Sequence, residues 1–379
     1  MGGLDGGGPR NTLPTGWPVL VTGAAGFVGG HVARELARGG YRVRALTRRE
    51  PVVEPGDPPI EWFRGDLGSE GDVAGAVAGV RGVIHCGGWV SLGPDRGGLG
   101  RKVNVEGTRS LLDAGERAGV ERFVYTSTLW TTAAGTAEQP ADESSPWNLH
   151  SIQGPYCRSK TEAERMVLDR DRSGFQTNVV NPGMVLGTGD RRPTSTGIIL
   201  LMSRLPVAVL AGGGIPLVDA RVLALGHRRV LEGGEPGRRY IIAGRYVSYP
   251  EMARLVASLV GRPRFRLVVP DRCAALIRAP FGAAEGMLHG ILGELSGAGV
   301  AGGFLRLHIT GAAADARFGL VHPDPIVSIF ETLDDHRRAG RAPWLKSLRA
   351  PDEINGEYMS PETARADESR SAPECGGRP

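Results

Sequence analysis

"PVLVTGAAGFVGGHVARELARGG", residues 18–40, places two periodicities side by side. Its first five residues form a continuous apolar run of the length of a buried strand. From Phe27 the apolar residues recur at helical spacing and stop at the pair Gly39–Gly40. Between the two lie Gly23, Gly26 and Gly29, three residues apart. A strand that turns at once into a helix needs a residue without Cβ. Glycine backbone can also approach a pyrophosphate closely, and the free N–H groups and positive dipole end of the helix then hold its charge. In a chain with 58 glycines such a triplet alone says little. At the first strand-to-helix turn it predicts a dinucleotide site, with Gly23, Gly26, Phe27, Val28 and Gly29 against the cofactor.

The alternation continues outward. "YRVRALT" (41–47), "IEWFRGD" (60–66), "GVIHC" (82–86), "RFVYTST" (122–128) and "QTNVVNP" (176–182) read as strands. "DVAGAVAG" (72–79), "RKVNVEGTRSLLDAGERAG" (101–119) and the segment after Gly154 read as helices between them. Strands and helices in this order predict an α/β fold, a Rossmann doubly wound parallel sheet. Near residue 190 the rhythm breaks. The expected organisation is a flexible lead-in over 1–16 and a cofactor-binding Rossmann domain over 17–190. A smaller C-terminal substrate-binding part follows over 191–349, segments of which can return to the main sheet. A disordered tail is expected from 350 to 379, where Pro, Gly and charge dominate. "RRYIIAG" (238–244) is strand-like within the later part, and the small apolar residues of 274–305 suit a pocket for a lipophilic, ring-containing substrate.

Composition narrows the function. A net charge of +4 with no run of Lys/Arg among aromatics argues against nucleic acid. Cys86, Cys157, Cys273 and Cys375 match neither a metal pattern nor a disulfide framework, so no metal and a reducing cytoplasm are expected. The N-terminus lacks a signal-peptide pattern, and no apolar run reaches the length of a membrane span.

Two features carry chemistry. The second strand ends in Thr47, Arg48 and Arg49, where an acidic residue would take a ribose 2′-hydroxyl. A guanidinium suits a 2′-phosphate, which favours NADP, with NAD as the alternative. The other reading is a pair of solvated loop arginines. The second feature is "GPYCRSKTEAERM" (154–166), in which Tyr156 and Lys160 share one helix face. The pair is either a phenol beside its cation or an ordinary amphipathic helix with a surface lysine. A lysine cation one turn away would bring a phenol, free pKa ~10, toward neutrality.

"VTGAAGFVGG", "GDL" (65–67), "HCGG" (85–88), "NVEGT" (104–108), "FVYTST" (123–128), "YCRSK" (156–160) and "NPGMVLGTGD" (181–190) occur in that order. Together, from about Trp17 to about Trp344, they resemble the extended short-chain dehydrogenase/reductases, the NAD-dependent epimerase/dehydratase family. "VRALTRRE" and "VVNPGMVLGTGD" are most similar to the dihydroflavonol reductase and 3β-hydroxysteroid dehydrogenase type.

The resemblance implies an oxidoreductase in which Tyr156 exchanges the proton. Lys160 tunes the phenol and binds the nicotinamide ribose. Thr128, last residue of the hydroxyl-rich end of the fifth strand, holds the substrate oxygen in preference to Ser127. It further implies that Asp66 and Leu67 meet the adenine side of the cofactor and that His85–Gly88 wall its ribose, with "GG" loosening a wall that is usually "AA". Asn104 would fix the active-site helix or a water, and Asn181, Pro182 and Gly183 would face the nicotinamide. His85 is structural or cofactor-lining, and Cys157 is a packing residue. The expected partner is a small-molecule substrate, with a homodimer left open. The alternative function is a nucleotide-sugar epimerase with tightly held NAD, using Arg191, Arg192, Arg221 or Arg245 for the sugar diphosphate. The absence of an Asp–Glu pair in "LWT" after Thr128 counts against dehydration.

Overall fold

The computed structural model describes residues 13–51, 53–91, 95, 97–152, 154–193, 196–205, 207–261, 265–269 and 302–358. Strand β1 (Pro18–Thr22) is buried from Val19 onward, as a central parallel strand covered on both faces must be. Helix α1 (Phe27–Arg38) buries Val32, Ala33 and Leu36 and ends where Gly40 takes φ +85°, a value glycine adopts without strain. The alternation continues through β2 (Arg42–Thr47), β3 (Glu61–Arg64), α2 (Glu70–Val77), β4 (Gly82–His85), α3 (Gly107–Arg117), β5 (Arg122–Thr126), α4 (Pro155–Leu168) and β6 (Gln176–Pro182). Helix starts follow local chemistry: Ser69 caps α2 by accepting from the Asp72 N–H, and Pro155 opens α4.

The segment expected as one helix over 101–119 divides in two. Gly100–Glu106 forms a wide π-helical turn, and α3 begins only at Gly107. Asp95 anchors that turn by accepting from the N–H groups of Leu99 and Gly100, and Asn104 is buried within it.

After residue 183 the chain forms β7 (Met184–Leu186), α5 (Gly197–Arg204), β8 (Val207–Ala211), β9 (Gly214–Asp219), α6 (Ala220–Gly233), β10 (Arg238–Ile242), β11 (Tyr246–Ser248), α7 (Tyr249–Val260) and β12 (Phe265–Val269). Helices α8 (Ala312–Phe318), α9 (Pro325–Arg338) and α10 (Pro351–Tyr358) follow. The main sheet runs β10-β6-β5-β4-β1-β2-β3, all parallel. The strand-like 238–244 thus belongs to this sheet rather than to the substrate side, and α6 packs on α1 beneath it. Its β-branched and aromatic residues mark a strand, but nothing local says which sheet edge receives it. The smaller lobe holds the sheet β11-β9-β7 and the pair β12-β8, with α5, α7 and α9 packed together.

Where a tail was expected from residue 350, α10 docks on α7 and α9 and buries Ile354 completely. One buried isoleucine anchors a segment whose composition is otherwise polar. Residues 1–12 of the lead-in, 274–301 of the apolar stretch, 359–379 of the tail, Cys273 and Cys375 lie outside the described residues. Among the described residues, no helix is long and apolar enough to cross a membrane.

Candidate active site

The strand order reverses between β1 and β4, and ligands of such sheets bind at the carboxyl ends of the strands beside that reversal. Gly23 sits there with φ +67°, and a Cβ on it would lie 2.8 Å from the Cα of Gly87. A Cβ on Gly29 would lie 2.7 Å from the Gly23 carbonyl carbon. The turn is therefore wound backbone against backbone, closed by the Gly26 N–H on the Gly23 carbonyl at 2.8 Å, and no side chain caps the start of α1. Phe27 and Val28 are half-buried in that first turn. Phe27 stacks edge-on against His31, whose Nε2 reaches the Thr188 carbonyl at 2.9 Å. These residues fit a dinucleotide pyrophosphate, because any Cβ would fill the cradle.

"GG" at 87–88 tightens the wall it was expected to loosen. A Cβ on Gly87 would meet Leu67 Cδ1 and Thr22 Oγ1 at 3.0 Å, and one on Gly88 would meet Asn104 Oδ1 at 3.2 Å. The space of the missing methyls is taken by the glycine turn, by Leu67 and by Asn104. His85 stands behind this wall in a closed chain of hydrogen bonds. Thr108 Oγ1 donates to the Asn104 carbonyl, so it accepts from His85 Nε2 at 3.0 Å. His85 Nδ1 then accepts from Thr22 Oγ1 at 2.6 Å, and Thr22 accepts from the Gly87 N–H. Burial pushes the imidazole down to about 3, so His85 is a neutral structural link.

At the adenine end, Arg48 Nη1 lies 3.5 Å from Asp66 Oδ2, both side chains more than half exposed. Asp66 also accepts from the Gly68 N–H, and Thr47 Oγ1 accepts from the Arg49 N–H. An exposed arginine paired with an exposed carboxylate is held weakly and stays free to move to an anion.

Tyr156 and Lys160 both lie on the buried face of α4. Trp89 packs edge-on against Tyr156, with ring centroids 6.4 Å apart. Lys160 Nζ donates to the Thr126 carbonyl at 2.6 Å and sits 4.2 Å from the Tyr125 ring centroid. Burial pulls the amine down to about 7, against the opposing pull of Glu164. Asn104 ties the parts together: Nδ2 donates to the Trp89 carbonyl and Ser159 Oγ, and Oδ1 accepts from the Trp89 N–H. It thereby links the loop after β4 to the helix of Tyr156 and Lys160.

Ser127 and Thr128 part company at the end of β5. Ser127 Oγ donates to Glu164 Oε2 at 2.5 Å, inside the core. Thr128 takes extended backbone, and its hydroxyl makes only a long 3.5 Å contact with the Trp130 N–H. Asn181 is fully buried, and its amide nitrogen lies 3.1 Å from the Thr128 carbonyl oxygen, 2.9 Å from Thr131 Oγ1 and 3.0 Å from Glu164 Oε2, its two protons shared among the three. Pro182 ends β6, and Gly183 threads between the carbonyls of Pro216 and Ala243, each under 3 Å from where its Cβ would lie. Burial pushes the thiols of Cys86 and Cys157 up to about 11, which suits packing and not nucleophilic chemistry. Among the described residues no group of side chains could hold a metal ion.

The family model for the NAD dependent epimerase/dehydratase family matches residues 19–241, from β1 through β10. The chain belongs to that family. It is 35% identical over 258 residues to a Synechocystis sp. protein that bears the name of a dihydroflavonol 4-reductase, covering 66% of this chain and 75% of that one. It is 32% identical over 269 residues to sterol demethylase protein B of Methylococcus capsulatus, covering 69% and 81%. A 3-beta-hydroxysteroid dehydrogenase of Mycolicibacterium neoaurum is 31% identical over 262 residues, covering 64% and 70%. Among solved structures, gox2253 superimposes with a TM-score of 0.70 at 29% identity, covering 86% of this chain and 99% of its own. The Thermus thermophilus UDP-glucose 4-epimerase, crystallised with NAD, shares the fold with a TM-score of 0.65 at 22% identity, covering 85% and 99%. This member of the family is an NAD(P)-dependent oxidoreductase of the extended short-chain dehydrogenase/reductase type.

Sequence reasoning missed Glu164. The signal was present: a carboxylate four residues after Lys160 falls on the helix face that already holds the tyrosine and the lysine.

Proposed function

We propose that the protein interconverts a ketone and a secondary alcohol on a lipophilic, ring-containing metabolite, with NADP as the preferred cofactor. The observation that carries this reading is the placement of Lys160 beneath the end of β5, on the same buried helix face as Tyr156. The glycine turn would hold the cofactor's pyrophosphate, and the nicotinamide would supply or accept the hydride. Tyr156 gives its proton to the carbonyl oxygen on reduction and takes it back on oxidation. The Lys160 ammonium stabilises the phenolate, and the Thr128 hydroxyl donates to the substrate oxygen as charge develops there. Half-buried Trp89 and Trp130, beside Tyr156 and Thr128, offer flat apolar surface for a ring. The sterol, steroid and flavonol names among the relatives agree with such a substrate.

The epimerase reading has less support. Arg221 is committed to Asp219 and Glu331, Arg245 to Glu251, and Arg191 lies 3.6 Å from Glu54. Arg221, held by the buried Asp219 and by Glu331, is a poor candidate for a sugar diphosphate, whereas the exposed Arg191 pair is held no more tightly than that of Arg48. The test is to incubate the protein with NADP(H) and either steroid and flavonoid ketones and alcohols or nucleotide sugars, following the absorbance of reduced cofactor. Stoichiometric turnover with the ring compounds is expected, falling ~10²–10⁴-fold in Tyr156→Phe. Sugar interconversion without net cofactor turnover would overturn the assignment.

A further inference from the structure

Glu164 lies one helical turn beyond Lys160 and is 2% exposed. A carboxylate buried so deeply must be fully supplied with donors. Ser127 Oγ donates to Oε2 at 2.5 Å, Thr131 Oγ1 at 2.6 Å and Asn181 Nδ2 at 3.0 Å. Oε1 accepts no hydrogen bond among the described residues and is met instead by an ion pair, Arg239 reaching in from β10 with Nη2 at 3.0 Å. The same side chains border Thr128. Ser127 precedes it directly, Asn181 Nδ2 lies 3.1 Å from its carbonyl oxygen, and the single proton of Thr131 Oγ1, 2.7 Å from that oxygen, is shared between it and Glu164. Packing alone does not account for such a cluster, since apolar residues of similar volume would serve stability as well.

We propose that Glu164 is a positioning residue, whose buried carboxylate locks the backbone of Thr128 through Ser127, Thr131 and Asn181 and sets a negative charge one turn from the Lys160 ammonium. The inference rests on the reading of Tyr156 and Lys160 as the reacting pair. The groups facing that pair are Tyr125 on β5, His85 and Cys86 at the end of β4, and Glu164 on α4 itself, which Arg239 on β10 pairs from behind. Burial keeps His85 and Cys86 neutral between pH 6 and 9, which leaves the Glu164–Arg239 ion pair.

Tyr156 and Lys160 share the loss of one proton. A nearby carboxylate opposes that loss, so removing its charge moves the midpoint to lower pH. Glu164 is one turn from Lys160 but two from Tyr156, so without it the proton leaves the amine instead of the phenol. The pair then titrates earlier and yields less tyrosinate. A purely structural role would move neither quantity.

The test is tyrosinate absorbance near 295 nm against pH, on the full chain saturated with NADP+, each protein minus its Tyr156→Phe counterpart. Glu164→Gln should lower the midpoint and cut the ratio of tyrosinate to neutral amine on the order of tenfold, the equivalent of one pKa unit. Glu164→Asp should keep most of the signal. Arg239→Gln, which leaves the carboxylate in place, should shift the midpoint upward. A Glu164→Gln protein with wild-type midpoint and amplitude overturns the proposal. If Glu164→Gln does not fold, an unchanged or lowered midpoint in Arg239→Gln does the same. A wild-type protein with no tyrosinate phase below the free-tyrosine range instead removes the reacting-pair reading.

Discussion

Replacing Lys160 by Met should change how stability depends on pH, in a direction and amount that follow from burial. In the folded protein the amine titrates at about 7, against 10.5 ordinarily. Three contacts favour its charged form: the Thr126 carbonyl, the face of Tyr125 and the nearby Glu164. Loss of water outweighs them. Between those two values the unfolded chain holds one proton more than the folded chain, so stability rises with pH across that window. Below it both states are charged and the full penalty stands; above it both are neutral and the penalty is gone. One pKa unit corresponds to ~1.4 kcal/mol, so from pH 7.5 to 9 wild type should gain ~2 kcal/mol relative to Lys160→Met. Urea unfolding of both proteins without cofactor, at several pH values, gives this difference directly, and the titrations of other tyrosines and cysteines cancel in it. A stability difference that stays flat between pH 7 and 9.5 would refute the buried, burial-dominated amine.

Four further outcomes are expected. Gly29→Ala forces a methyl into the Gly23 carbonyl and should cost ~1–3 kcal/mol in thermal or urea unfolding, with NADPH binding by fluorescence lost alongside. Arg48→Ala with Arg49→Ala should weaken NADP(H) by about tenfold or more while leaving NAD(H) nearly unchanged, because a charge-assisted bond is worth ~1.5–3 kcal/mol; equal losses for both cofactors would sink the 2′-phosphate assignment. Thr128→Ala should depress turnover while Thr128→Ser retains it. Ser127→Ala should appear mainly as lost stability of ~1–3 kcal/mol, since it takes a donor from a buried carboxylate.

The first six strands of the main sheet were legible because each is a short apolar run bounded by turn residues, and the helices between them keep a 3.6-residue period. The seventh was visible as a strand yet not as part of that sheet. Parallel strands are joined through crossovers, and β10 reaches β6 only after the chain has built β7, β8 and β9. Nothing in Arg238–Ile242 encodes that return. The division of 101–119 was equally hidden, because a π turn and an α turn accept the same residues, and the Asp95 carboxylate that anchors this one lies upstream. Helix α10 was missed because composition averages over a window, while docking needed little more than Ile354.

At the site, the residues that could be named in advance are those whose chemistry is local. Glycines at a turn and a Tyr–Lys pair one helical turn apart are fixed by backbone geometry, and so is the alternation that sends Ser127 and Thr128 to opposite sides. The residues misread or overlooked are those whose role depends on distant partners. Asn181 was placed at the nicotinamide by resemblance alone, and its contacts with Thr128 and Glu164 join segments that no local reading brings together. "GG" at 87–88 looked like a loosened wall because side-chain volume was weighed without knowing that Gly23 fills the gap from β1. Glu164 gathers partners from the end of β5 and the turn after it, from β6 and from β10, three places far apart in the sequence. The helix of Tyr156 therefore carries its chemistry in residues that read locally. The spacing of Glu164 from Lys160 was legible too, but its partners Ser127, Thr131, Asn181 and Arg239 are seen only once the sheet has formed.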